Sequence, residues 1–166
     1  MGLGTGLLWS LLWLGQTTEM LQPGMATVTA PEVEIRSGPG QLYYPTQKVR
    51  AGTEIKVWRV VNGWAEISPP PGAFSLVPKK AISQLSTSTG KVNRGGVETL
   101  IGSDLVKDAQ RTGRKLEPGH LVQIQTTDRA RTAEGPQEVF RILPDGERRF
   151  IPAAALAQGG SEIVQT

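Results

Sequence analysis

From residue 27 onward apolar and polar side chains alternate along the chain, as they do in strands with one face buried. Thr27-Val28-Thr29 and Val33-Glu34-Ile35-Arg36 each predict a strand, and Ser37-Gly38-Pro39-Gly40 predicts a sharp break after them. Alternation resumes at Glu54-Ile55-Lys56-Val57 and runs to Asn62-Gly63, a hairpin signal because both residues tolerate positive φ. Trp64 to Ile67 is the returning strand, Pro69-Pro70-Pro71-Gly72 the next turn, and Phe74 to Val77 a last short strand. Ala81 to Leu85 closes this unit, and Ser86-Thr87-Ser88-Thr89-Gly90 reads as a polar linker.

The same order then recurs. Val97-Glu98-Thr99-Leu100-Ile101-Gly102-Ser103 stands where the first unit has its strand and Ser-Gly turn, and Leu121-Val122-Gln123-Ile124 matches Glu54 to Val57. Val139-Phe140-Arg141-Ile142 takes the place of Trp64-Ala65-Glu66-Ile67. At the end, Phe150-Ile151-Pro152-Ala153-Ala154-Ala155-Leu156 parallels Leu76-Val77-Pro78-Lys79-Lys80-Ala81-Ile82. Similarity sustained over a whole unit marks an internal repeat. The second copy also carries a polar insertion, Thr126 to Gln137.

The pattern predicts an all-β protein of two small β-barrels in tandem after an N-terminal apolar segment. Its divisions are residues 1–26, 27–85 for barrel 1, 86–91 as linker, 92–157 for a divergent barrel 2, and 158–166 as a flexible tail. The first of these holds an apolar run, Gly2 to Gly15, too short to span a bilayer comfortably and similar to the core of a secretory signal. No Lys or Arg precedes Arg36, so the usual basic start is missing. The expectation is an extracytoplasmic protein of the periplasm or cell envelope, touching a membrane only through this segment if it stays uncleaved.

Val33-Glu34-Ile35-Arg36-Ser37-Gly38-Pro39-Gly40, Tyr43-Tyr44-Pro45, Gly52 and Asn62-Gly63-Trp64 together resemble the bacterial SH3-like (SH3b) domain over residues 28–84. The resemblance implies a small, strongly bent barrel that acts as a binding or targeting module, often for cell-wall peptide or another envelope component. Gly72-Ala73-Phe74-Ser75-Leu76-Val77 stands where that family usually has Gly-Trp-Val. The second unit lacks the Arg-Ser-Gly-Pro-Gly run, and its membership rests on the internal repeat.

Composition narrows the function. The 166 residues include 20 Gly, 12 Pro and no Cys, which removes disulfides, thiolate metal sites and a cysteine nucleophile. The single histidine, His120, follows a turn glycine and has Thr53 as its counterpart, so it reads as a solvated turn neighbour. Glu32 and Glu34 alternate on one strand face as ordinary solvated acids. Arg94-Gly95-Gly96 fits neither a phosphate loop nor a dinucleotide fingerprint. We therefore expect no catalytic residues, no cofactor and no metal. The second unit is rich in Arg, but Lys91 to Ala157 holds 11 bases against 9 acids, and a nucleic-acid-binding barrel is the least favoured reading.

The aromatic residues carry the functional expectation. Ile55 and Val57 claim the core side of their strand, which sends Lys56 and Trp58 outward; Ala65 and Ile67 likewise send Trp64 outward. Tyr43, Tyr44, Trp58, Trp64 and Phe74 are the ligand-binding candidates, expected to line a groove with an apolar floor and polar tips. The partner would be a protein or a peptidoglycan peptide. The alternative is a spacer or assembly subunit with no small ligand.

Overall fold

The computed structural model describes residues 20–159. The apolar run read as an export signal lies outside the described residues. Fourteen strands follow one another: β1 (Gly24–Val28), β2 (Glu32–Arg36), β3 (Pro45–Arg50), β4 (Glu54–Val61), β5 (Trp64–Ile67), β6 (Ser75–Pro78), β7 (Ile82–Gln84), β8 (Thr89–Val92), β9 (Val97–Ile101), β10 (Thr112–Leu116), β11 (Leu121–Thr132), β12 (Gly135–Ile142), β13 (Arg149–Pro152) and β14 (Leu156–Gln158). Short 3-10 turns at Lys79–Ala81 and Ala153–Ala155 are the sole helical pieces among the described residues. The class is all-β, and no described helix is long and apolar enough to cross a membrane.

The strands form two seven-stranded sheets with the orders β14-β1-β4-β5-β13-β2-β3 and β7-β8-β11-β12-β6-β9-β10. The strands matched through the repeat, β2 with β9, β4 with β11, β5 with β12, β13 with β6 and β14 with β7, hold the same places in the two orders. The repeat is therefore reproduced in three dimensions, with one difference in connectivity. β6 and β7, from the first half of the sequence, complete the second sheet, while β13 and β14, from the second half, complete the first. The two copies exchange their closing segments.

This exchange corrects the division drawn from the sequence. Residues 75–84 do not end a unit spanning 27–85: Leu76 and Val77 pair with Arg141 and Phe140 of β12. Residues 86–91 are no linker between units. Ile82, Ser83 and Gln84 pair with Val92, Lys91 and Gly90, which makes 85–88 the turn of a hairpin within one sheet. Nor do residues 149–157 close a unit beginning at 92, because Phe150 and Ile151 pair with Glu66 and Ala65 of β5. At the ends, β1 starts at Gly24, inside the segment assigned to residues 1–26, and β14 reaches Gln158. A physical reason lies in Pro69-Pro70-Pro71, which fixes φ at successive residues and offers no amide hydrogens. The chain leaves β5 stiff and extended and crosses to the other sheet.

Each sheet supplies one hydrophobic cluster from most of its strands. The first gathers Ala26, Val28, Ile35, Val49, Ile55, Val57, Ala65, Ile67, Ile151 and Ala155. The second gathers Val77, Ala81, Ile82, Val92, Val97, Leu116, Val122, Ile124, Phe140 and Ile142. Val77 and Ile151, counterparts in the repeat, are both 0% exposed, each at the heart of the core built mainly by the other half of the chain. The Asn62-Gly63 turn between β4 and β5 has φ of 48° and 80°, the left-handed pair that a two-residue hairpin requires.

Where the two exchanged segments cross, a buried polar network joins them. Arg149, 0% exposed, pairs with Glu147 at 3.0 Å. Its Nη2 donates to the Phe74 carbonyl at 3.2 Å and to Ser75 Oγ at 3.3 Å. Ser75 and Thr99 donate their hydroxyls to the Glu147 carboxylate. Burial pulls the Arg149 guanidinium below its ordinary range, and the neighbouring Glu147 carboxylate works against that pull.

Candidate functional site

The face of the first sheet that points away from its core is built by β4, β5, β13 and β2. Phe150 lies opposite Glu66, Pro152 opposite Trp64, and Phe150 also opposite Arg36. Because Ala65, Ile67, Ile151 and Ile35 fill the core, alternation places Trp64, Glu66, Phe150, Pro152, Glu34 and Arg36 together on the outer face. Trp58 joins them next to an irregularity in the β4–β5 pairing between Val57 and Arg59.

Trp58 is 41% exposed, as its strand position predicts. Lys56 Nζ stands 4.2 Å and the Arg148 guanidinium 4.0 Å from the ring centroid. The indole N–H donates to Ser68 Oγ at 2.8 Å. Polar contacts, rather than burial, fix this ring. Arg148 also reaches Glu66 at 3.6 Å, and Arg59 pairs with the same carboxylate. The result is a stripe in which the Arg148–Glu66 pair lies between Trp58 on one side and Phe150 and Trp64 on the other. Beside Trp58 lies an open depression of about 590 Å3, walled by Pro69, Pro70, Pro71, Pro144 and Arg148.

The remaining candidates stand elsewhere. Tyr44 leaves the first sheet and bolts it to the second: its hydroxyl donates to the Ile101 carbonyl at 2.8 Å and accepts from the Arg111 amide at 3.3 Å. The Tyr43 ring lies 4.5 Å beneath the Arg111 guanidinium. Ser103 Oγ donates to the Pro45 carbonyl in the same junction. Phe74 is only 5% exposed, packed with Leu76 and Val139 under the Arg141 guanidinium at 4.0 Å. Gly102 abuts it, and a Cβ there would stand 2.8 Å from the Phe74 carbonyl. The five rings therefore do not share one groove. Trp58 and Trp64 share a face, while Tyr43, Tyr44 and Phe74 hold the junction, because the exchange carries residues 68–74 between the sheets.

Tyr44 gives a test of the junction. Burial raises its hydroxyl above the ordinary 10.0, with the Arg111 backbone bond opposing. An acid whose folded pKa is raised keeps its contribution below the unfolded pKa and loses it as pH rises through the folded one. Tyr44→Phe is therefore expected to cost about 1 kcal/mol at neutral pH. The gap between wild type and variant should narrow as the pH passes 10.0. Denaturant titrations at neutral and alkaline pH check this; a constant gap rejects it.

Sequence reasoning missed Phe150 and Arg148. The signal was present, since Ile151 in a core position forces Phe150 and Arg148 outward, but the repeat did not reveal that they would face Trp58 and Trp64. It also missed a groove of about 330 Å3 on the second sheet, lined by Leu76, Pro78, Leu100 and Val139. The insertion forms the long β11–β12 hairpin, whose tip beside this groove is tied down by a Lys80–Glu134 ion pair. Among the described residues no three His, Cys, Asp or Glu side chains stand close enough to hold a metal ion. His120 sits beside β11, Arg141 of the second sheet is paired with Asp104 and Asp128, and Arg149 of β13 is paired with Glu147. No protein-family model matches this chain, and neither a curated protein nor a solved structure matches it.

Proposed function

We propose that the protein is a non-catalytic binding module of the cell envelope, of SH3-like kinship, which recognises a protein or cell-wall peptide through the Trp58 stripe. The observation that carries this reading is the exposure of Trp58. Both cores are complete without it, yet the ring is held in one orientation by Lys56, Arg148 and Ser68. A pre-oriented tryptophan flanked by arginine is the composition of an interface hot spot, since a large apolar area is offered at little ordering cost. Phe150 and Trp64 extend the surface along the sheet, and the proline-walled depression gives a peptide a place to lie.

The test is cosedimentation with purified cell wall. Wild-type protein is expected in the pellet and Trp58→Ala in the supernatant, with an unchanged thermal midpoint. A collapse of stability in Trp58→Ala would mean that the ring is structural. A second reading, a spacer or assembly subunit, draws on the exchanged segments, which join the sheets into one body. Under that reading wild-type protein stays in the supernatant.

A further inference from the structure

Among the described residues, the surface depressions lined by Lys80 and Glu98, by Arg114 and Glu147, by Asp145 and Arg148, and by Lys79 and Glu138 carry charge. Another does not. It measures about 570 Å3 and is lined by Met20, Leu21, Val60, Ala154 and Leu156, with Gln22, Ala153, Ala157 and Gln158 completing the wall. It opens at the end of the first core, against which Leu21, Ala153 and Leu156 pack. Of the residues that line it, Met20 is 76% and Val60 37% exposed, which makes an apolar pole on the first sheet.

The chain preceding this pole is the apolar run. Gly2–Gly15 is separated from Met20 by only Gln16-Thr17-Thr18-Glu19. A fully extended chain spans at most ~3.6 Å per residue, so these residues bridge no more than roughly 18 Å. Were the run to enter a bilayer, the pole would be held close to the headgroup layer. An uncharged apolar surface at that distance gains by leaving water, and the tether supplies the effective concentration.

We propose that this pole is a membrane-contact surface, and that the Met20–Val60–Ala154–Leu156 end of the first sheet lies on the lipid surface entered by the N-terminal run. The proposal rests on the envelope reading of that run and adds an orientation: the outer Trp58 stripe is then presented beside the membrane.

The cysteine-free chain allows a direct test. Full-length Ala154→Cys is labelled with an environment-sensitive nitrobenzoxadiazole dye, with Gln123→Cys on the second sheet as control. Each is mixed with vesicles of phosphatidylcholine and phosphatidylglycerol, and flotation scores binding separately. The expected result is flotation of both proteins, with a blue shift and several-fold brightening at position 154 and none at 123. Flotation without a change at 154 overturns the proposed orientation while leaving the tether. Absence of flotation overturns the tether reading and the proposal with it. A dye at 154 already blue-shifted before vesicles are added, and unaltered by them, means that the chain's own N-terminal run covers the pole, which also overturns it.

Discussion

Glu147→Ala is expected to lower the unfolding free energy by about 3–5 kcal/mol, because it strands a buried cation. Arg149 is 0% and Glu147 3% exposed, so no solvent screening softens the loss. The carboxylate also accepts from Ser75 and Thr99, and both hydroxyls would lose their acceptor. Thr99 Oγ1 itself accepts from the Arg114 amide at 2.8 Å, so the disturbance reaches β10. The cost is that of leaving one partner behind rather than the worth of the pair. Adding Arg149→Met to Glu147→Ala removes the orphaned charge and retains apolar volume, and should recover at least half of the loss. Guanidinium titrations of the wild type and both variants decide the matter. A single-variant loss under about 1 kcal/mol would mean that the network is relieved by water or rearrangement.

The position of this network explains its composition. Aligned through the repeat, Glu147 and Arg149 correspond to Ala73 and Ser75, and Ser75 meets both ions where the segments cross. Two copies of the acid–base pair would crowd four charges into one buried point. Small residues on one strand leave room for the long ones on the other, and Ser75 supplies a hydroxyl that serves both ions.

Much of this architecture was legible in the residues. Alternation at Glu54–Val57 and Trp64–Ile67 placed Ile55, Val57, Ala65 and Ile67 in a core and Trp58 outside it, as the structure has them. The match of Leu76–Ile82 with Phe150–Leu156 identified two equivalent segments, and the structure makes each a strand followed by a 3-10 turn. It could not say which sheet each would join. Because the two segments carry the same pattern, either completes either sheet, and side-chain periodicity is blind to that choice. The junction residues were misjudged for the same reason: Tyr44 reads as a loop aromatic and Phe74 as the start of a strand closing its own unit, until the chain is seen to cross beneath them.

Ile151→Ala tests whether the exchange makes the two sheets one cooperative unit. Ile151 is 0% exposed within the first core, and removing its branched side chain is expected to cost about 2–5 kcal/mol. In a tandem of independent units the damage would stay in the sheet that holds the cavity. Here β13 is anchored in the first sheet but continues directly from β12 of the second, and Arg149, two residues from the cavity, grips Phe74 and Ser75 at the start of β6. Loosening β13 loosens the network that positions β6, whose Val77 fills the second core. Native-state amide exchange is therefore expected to accelerate to the same extent at Val122 and Ile124 as at Ile35 and Ala65, and tryptophan fluorescence from Trp58 and Trp64 should follow the same single transition. If the β11 amides keep wild-type protection while β2 and β5 lose theirs, the sheets unfold separately, and the shared segments join them in space without coupling their stability.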